Sequence, residues 1–203
     1  MVRLFCGVFL AFSVSCAADS SPLVQEGAAA EVEAAAPDFV LQDTEGKSVR
    51  LSELRGKTVV LEWFNPDCPF VKYAYNQGPL KALPQSWMDK DVVWLAVNSG
   101  APGKQGAGVE RNKKARSQYQ MPHRVLIDEG GEVGRAYSAK TTPQIVVIDG
   151  KGIVRYNGAL DNQPLGRGKA GLQVYADQVL GAVTAGKPSP HSRTKPYGCS
   201  VKY

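Results

Sequence analysis

The chain has 203 residues, 43% of them hydrophobic and 21% charged, with a formal net charge of +5 and four cysteines. That length suits a single domain, and no internal repeat points to a solenoid or propeller. The densest cations, Arg111, Lys113, Lys114 and Arg116, fall on one expected helix without interleaved aromatics. They read as a solvated helix face and not as a nucleic-acid footprint.

Residues 1–18 have the order of a secretory signal peptide. Arg3 supplies a basic start, 4–14 is almost wholly apolar, and Ala17 and Ala18 offer cleavage positions. The apolar run is too short to span a bilayer. The alternative is a lipoprotein signal in which Cys16 becomes the lipidated first residue, although Ser13 stands where a Leu is usual. Only that route predicts a membrane anchor. Either way the expectation is an exported, periplasmic or extracellular protein, where disulfides persist. Processing removes Cys6, and Cys16 unless it is lipidated, which leaves Cys68 and Cys199 as an even pair.

Residues 19–36 are an Ala- and Glu-rich low-complexity linker with too little bulk to build a core. Folding is expected over 37–187. There, 38–41 and 49–51 flank an Asp-Thr-Glu-Gly-Lys turn and predict an N-terminal β-hairpin. Residues 58–64 predict a buried strand, and a helix starts near Cys68, breaks at Gly78-Pro79 and resumes over 80–83. The apolar run 92–97 predicts a central strand covered on both faces. A helix over 108–119, a strand over 124–128 and a short helix over 132–137 follow. The turn Asp-Gly-Lys-Gly between 145–148 and 153–156 predicts a second hairpin. A closing helix over 170–185 carries Leu172, Tyr175, Ala176, Val179, Leu180 and Val183 at helical spacing. Residues 188–203, with Pro188, Pro190 and Pro196, form an extended, flexible tail carrying Cys199. Strands alternating with helices give an α/β chain: a central mixed sheet flanked by helices.

Cys68 is the strongest chemical signal. It stands where a strand passes through Asn65-Pro66-Asp67 into a helix, so its sulfur meets unpaired N–H groups and the positive end of the helix dipole. Turn-forming neighbours argue for a reactive thiol over an inert core cysteine. The adjacent Asp67 is expected to raise its pKa and Lys72, one turn on, to offset that in part. Glu62 lies in an otherwise apolar strand, which is costly unless the carboxylate is paired, hydrated or protonated. It reads equally as a proton acceptor for the thiol and as an edge residue or salt-bridge partner. Thr142-Pro143, just before a strand, is a place where a cis bond would be functional, with trans as the ordinary expectation. His123 and His191 receive no role, and Trp63, Trp87 and Trp94 read as core residues. No Cys/His cluster has zinc spacing, and there is no phosphate loop.

Three segments together are specific: Trp63-Phe64-Asn65-Pro66-Asp67-Cys68-Pro69-Phe70-Val71-Lys72, Thr141-Thr142-Pro143, and Pro196-Tyr197-Gly198-Cys199-Ser200. In these the chain resembles the secreted peroxiredoxin-like, thioredoxin-fold redoxins of the alkyl hydroperoxide reductase/thiol-specific antioxidant superfamily. The resemblance implies a thioredoxin-like fold, with Cys68 in the place of the first cysteine of a Cys-x-x-Cys pair. It also implies a cis Pro143 with Thr142 against that sulfur, and Glu62 as the buried acid. Two positions depart from the pattern. Val71 replaces the second cysteine, and Asn65 stands where a peroxidatic site has Thr or Ser. The implied activity is thiol-dependent oxidoreduction of a peroxide or disulfide, with Cys199 as a resolving thiol brought up by the tail. A protein or small thiol would supply the electrons, without metal or organic cofactor. The alternative is a non-catalytic binding module with Cys68 and Cys199 as a structural bridge.

Overall fold

The computed structural model describes residues 30–168 and 170–203. The leader over 1–18 and the first part of the linker lie outside the described residues.

A seven-stranded mixed sheet organises the domain, in the order β2-β1-β5-β4-β3-β7-β8. Its strands are β1 (Val40–Asp43), β2 (Ser48–Arg50), β3 (Val59–Trp63), β4 (Val93–Asn98), β5 (Arg124–Ile127), β7 (Gln144–Ile148) and β8 (Val154–Gly158). The two-residue β6 (Thr141–Thr142) lies outside this sheet. Strands β3, β4 and β5 run parallel, whereas β1 joins β5 and β7 joins β3 antiparallel. The helices are α1 (Pro69–Asn76), α2 (Leu83–Met88), α3 (Val109–Gln118), α4 (Glu132–Ala136) and α5 (Tyr175–Thr184). Both expected hairpins form, and the Gly78-Pro79 break separates α1 from a 3₁₀ turn at Pro79–Lys81.

All five β3 residues are buried because the sheet is covered on both faces. Strand alternation sorts them. Val60 joins Phe64, Cys68, Val71, Trp94 and Leu180 in one core layer, while Val59, Leu61 and Trp63 join Phe39, Val97 and Tyr137 in the other. Glu62, between Leu61 and Trp63, faces the layer that holds Cys68. It pairs with Ala96 of β4 and Ile145 of β7, so it stands at the centre of the sheet.

Three expectations need correction. The end of the low-complexity linker packs on the fold: Ala30 and Ala36 are buried, and Ala35 bridges Ile153. Small side chains suit that position, since they let a chain lie close along the β7–β8 hairpin. The closing helix starts at Tyr175, and Leu172 is exposed, because Asn162 holds 171–173 in an extended loop through bonds with Gly171 O and the Gln173 N–H. The tail is not a free arm. Thr194 bonds the Ala159 N–H, Tyr197 donates to Asp161, and β9 (Cys199–Ser200) pairs antiparallel with β6. Partners 35 to 60 residues away, and not the prolines, set its path.

Candidate active site

The Asn-Pro-Asp segment turns the chain from β3 into α1. Asn65 Oδ1 accepts the Asp67 N–H at 2.8 Å, its Nδ2 donates to Gln105 O at 3.0 Å, and the Cys68 N–H returns to Asn65 O at 3.1 Å. Asn is suited to such a turn because its side chain imitates a backbone turn. Pro69 occupies the first helical position, where no N–H is required. Cys68 is thereby the N-cap residue, with φ −69° and ψ 125°. Its sulfur meets the Val71 N–H at the helix start.

Cys68 is fully buried, and its Sγ–H donates to Thr142 O at 3.1 Å. The Thr142–Pro143 peptide bond is cis. Thr142 is directly opposite Cys199 across the β6–β9 pair, which sets the second thiol beside the first. Burial pushes the Cys68 thiol up, but the Cys199 side chain and backbone and the Val71 amide at the helix start leave it below its ordinary value. Cys199 is pushed up to about 11 by its own burial and by the sulfur it serves, with Lys202 opposing. The two neighbouring thiols are shifted in opposite directions, Cys68 towards the thiolate and Cys199 towards the protonated form. Cys68, Cys199, Thr142 and Pro143 are thus brought together.

Glu62 is also fully buried, in a pocket of donors. Tyr75 Oη gives 2.9 Å bonds to both carboxylate oxygens and Trp94 Nε1 gives one of 2.9 Å. Burial raises its pKa to about 7, with Trp94 and Tyr75 opposing the rise. Neither an edge position nor a salt bridge describes it. The nearby His123 Nε2, at 3.9 Å, belongs to an imidazole that burial, helped by Arg116, lowers to about 3 and keeps neutral. Among the described residues the hydrogen-bond partners of Glu62 are Tyr75 and Trp94, not Cys68. Tyr75 stacks on Tyr119 at 5.2 Å, and Tyr119 donates to Pro66 O beside the thiol, so the two groups share an aromatic wall.

Its spacing in the sequence gives His123 no role, yet it is buried and its Nε2 lies 3.2 Å from Tyr75 Oη. The alternation of Met121, His123 and Val125 as inward residues is the signal that reveals it. Arg111 likewise leaves the solvated-face reading: it forms a two-pronged pair with Asp67 at 2.6 and 3.3 Å. Asp67 is therefore neutralised by Arg111 and not offset by Lys72, which is exposed. Trp87 and Trp94 are core residues as expected, each with its indole N–H on a carboxylate, Asp177 and Glu62 respectively. His191 stays in the tail, bonded to Gln178 at 2.8 Å. Among the described residues no group of three or more His, Cys, Asp or Glu side chains is placed to hold a metal ion, and no helix is long and apolar enough to cross a membrane.

The fold is thioredoxin-like, and the chain is a thiol-dependent oxidoreductase. Residues 32–157 match the AhpC/TSA family, and the chain belongs to it. The thiol-disulfide oxidoreductase ResA of Geobacillus thermodenitrificans is 33% identical over 131 residues, covering 64% of this chain and 70% of that protein. The chloroplastic peroxiredoxin Q of Triticum aestivum is 31% identical over 129 residues, and the match spans 59% of this chain and 55% of the relative. Among solved structures, a conserved protein of Geobacillus kaustophilus superposes with a TM-score of 0.75 at 28% identity, over 91% of this chain and 97% of that one. A secreted disulfide oxidoreductase of Mycobacterium tuberculosis, at 21% identity and a TM-score of 0.52 over 72% of this chain and 95% of its own, shares the fold.

Proposed function

We propose that the protein carries out thiol–disulfide exchange through Cys68 and Cys199. The observation that carries this reading is that Thr142, whose carbonyl accepts the Cys68 thiol at 3.1 Å, lies directly opposite Cys199 across the β6–β9 pair. In the first step the Cys68 thiolate attacks one sulfur of a substrate disulfide; a Cys68–substrate bond forms and the other substrate sulfur leaves as a thiolate. In the second step Cys199, losing its proton to solvent or to the leaving group, attacks Cys68. The substrate is released as a dithiol and the enzyme holds a Cys68–Cys199 disulfide. A protein or small thiol then reduces that bridge. Run backwards, the same steps oxidise a substrate dithiol.

Glu62, with a pKa of about 7, suits the role of a proton store for this exchange, working through the Tyr75–Tyr119 wall in place of a direct bond. Thr142 and Pro143 would line the sulfur and present Thr142 O to the thiol. The leader read over 1–18 supports a location outside the cytosol, periplasmic or extracellular, with a membrane anchor only if Cys16 is lipidated.

The similarity to peroxiredoxin Q favours a second reading, in which a peroxide is the oxidant and Cys68 passes through a sulfenic acid. Peptide mapping of the oxidised monomer tests the pair: an intramolecular Cys68–Cys199 bridge is expected, and free Cys199 alongside oxidised Cys68 rejects it. Turnover with a model disulfide against hydrogen peroxide, under one reductant, then decides the substrate. A bridge potential well below about −300 mV would mark a structural staple instead of an exchange centre.

A further inference from the structure

Cys199 is held by more than its own strand. Two residues beyond β9, the Ala101 N–H bonds Lys202 O at 2.8 Å, and the Val201 N–H bonds Lys140 O at 3.0 Å. The chain then seats Tyr203 in a socket. A Cβ added at Gly131 would lie 2.5 Å from the Tyr203 ring, and one at Gly134 would lie 2.6 Å from its Oη. Only glycines leave that space. The Arg135 guanidinium lies 4.7 Å over the ring, and the hydroxyl donates to Ala139 O at 2.8 Å. Ala139 is two residues before β6, so the socket is on the segment that delivers Thr142 to Cys68.

We propose that Tyr203 is a positioning residue for the second step of exchange: its seat between Gly131, Gly134 and Arg135 fixes β9 in register and so holds Cys199 on Cys68. The inference rests on the Cys68–Cys199 exchange proposed above. A two-residue strand makes too few backbone bonds to stay paired by itself, because short pairings are marginal in water. The ring supplies the missing anchor four residues on. Unseated, the tail would still reach Cys68, but as one of many conformations, and the local concentration of Cys199 at the sulfur would fall.

The test uses one equivalent of 5,5′-dithiobis(2-nitrobenzoate) on the reduced protein in a Cys6→Ser/Cys16→Ser background. Attack by Cys68 breaks the probe's S–S bond and releases one thionitrobenzoate; attack by Cys199 on the mixed disulfide releases the second. The probe is reduced to two thiolates as the two cysteines are oxidised to a disulfide. At a pH where Cys68 is ionised in both proteins, the second release in Tyr203→Ala should slow by on the order of ten-fold, while the first is unchanged or faster. The same loss would move the bridge potential about 30 mV less negative. Tyr203→Phe, which keeps the ring, should restore most of the rate. Gly134→Ala, which fills the socket from the other side, should slow the second release as Tyr203→Ala does, and decides the matter if that variant does not fold. A wild-type second phase in a folded Tyr203→Ala or Gly134→Ala overturns the inference. The Cys199→Ser control separates the two levels. If the wild type, like this control, releases only one thionitrobenzoate, the exchange reading itself fails and the role of Tyr203 goes with it.

Discussion

Tyr75 shares one hydroxyl between both oxygens of Glu62, at 2.9 Å each, with His123 Nε2 at 3.2 Å on its far side. Glu62 titrates near 7 and His123 near 3, so both are neutral over most of the acidic range. The folded pKa of Glu62 lies above its unfolded value of 4.5, so the native state holds the proton more tightly. Its contribution is full below pH 4.5 and lost as pH rises towards 7. The folded pKa of His123 lies below 6.5, so its penalty appears as pH falls below 6.5. Between pH 4.5 and 6.5 the two slopes oppose each other. Relative to Glu62→Gln, wild-type stability should fall by about 3 kcal/mol from pH 4.5 to 7. Relative to His123→Gln, it should rise by a similar amount, about 3 kcal/mol, from pH 4 to 6.5. Denaturant melts across pH measure both differences, and a flat difference in either variant would refute the assignment for that residue.

Removing the hydroxyl in Tyr75→Phe takes away a donor that holds the Glu62 pKa down. The carboxyl should then titrate above 7, visible in its infrared carbonyl band. The lost bonds to a buried acid should cost about 1–3 kcal/mol. A Glu62 band that titrates at the wild-type pH would show that burial and Trp94, without Tyr75, set its value.

Cys199→Ala removes the strongest hydrogen bond lowering the Cys68 thiol. Cys68 should titrate at higher pH, followed by thiolate absorbance at 240 nm. Each unit of rise cuts the thiolate fraction at neutral pH about ten-fold. An unchanged titration would give the helix start, and not the neighbouring thiol, control of Cys68.

Local signals made much of the fold legible. Cys68 was found because Asn65-Pro66-Asp67 and Pro69 announce a turn and a helix start within a few residues, and the 145–156 hairpin because its turn chemistry lies between two apolar runs. Arg111, His123 and Tyr203 escaped for the opposite reason. Arg111 meets Asp67 across 44 residues and Tyr203 meets Ala139 across 64, and no spacing rule reaches that far. In sequence the tail reads as flexible because two-residue strands have no periodicity. Its order comes entirely from the surface on which it lies. Glu62 was visible as an anomaly, but its donors, Tyr75 and Trp94, come from α1 and β4 and are known only once those elements pack.

Gly198 has φ 129°, and a Cβ there would overlap the Thr142 carbonyl. Gly198→Ala should therefore push Cys199 away from Thr142 and uncover Cys68. Compared at a pH where Cys68 is ionised in both proteins, iodoacetamide should label Cys68 faster in this variant, at least several-fold, while bridge formation slows. Equal labelling in both proteins would place the barrier to Cys68 elsewhere than in the tail.

The pairing of β6 with β9 also sets a schedule for biosynthesis. Cys68 is translated 131 residues (199 − 68) before its partner. At about 5–20 residues per second the nascent chain carries an unpaired sulfur for roughly 10 s before Cys199 exists. Cys68 and Cys199 are the only cysteines among the described residues, so no other thiol of that region can capture it first. Cys6 and Cys16, translated earlier, are the nascent chain's other candidate partners for the waiting sulfur.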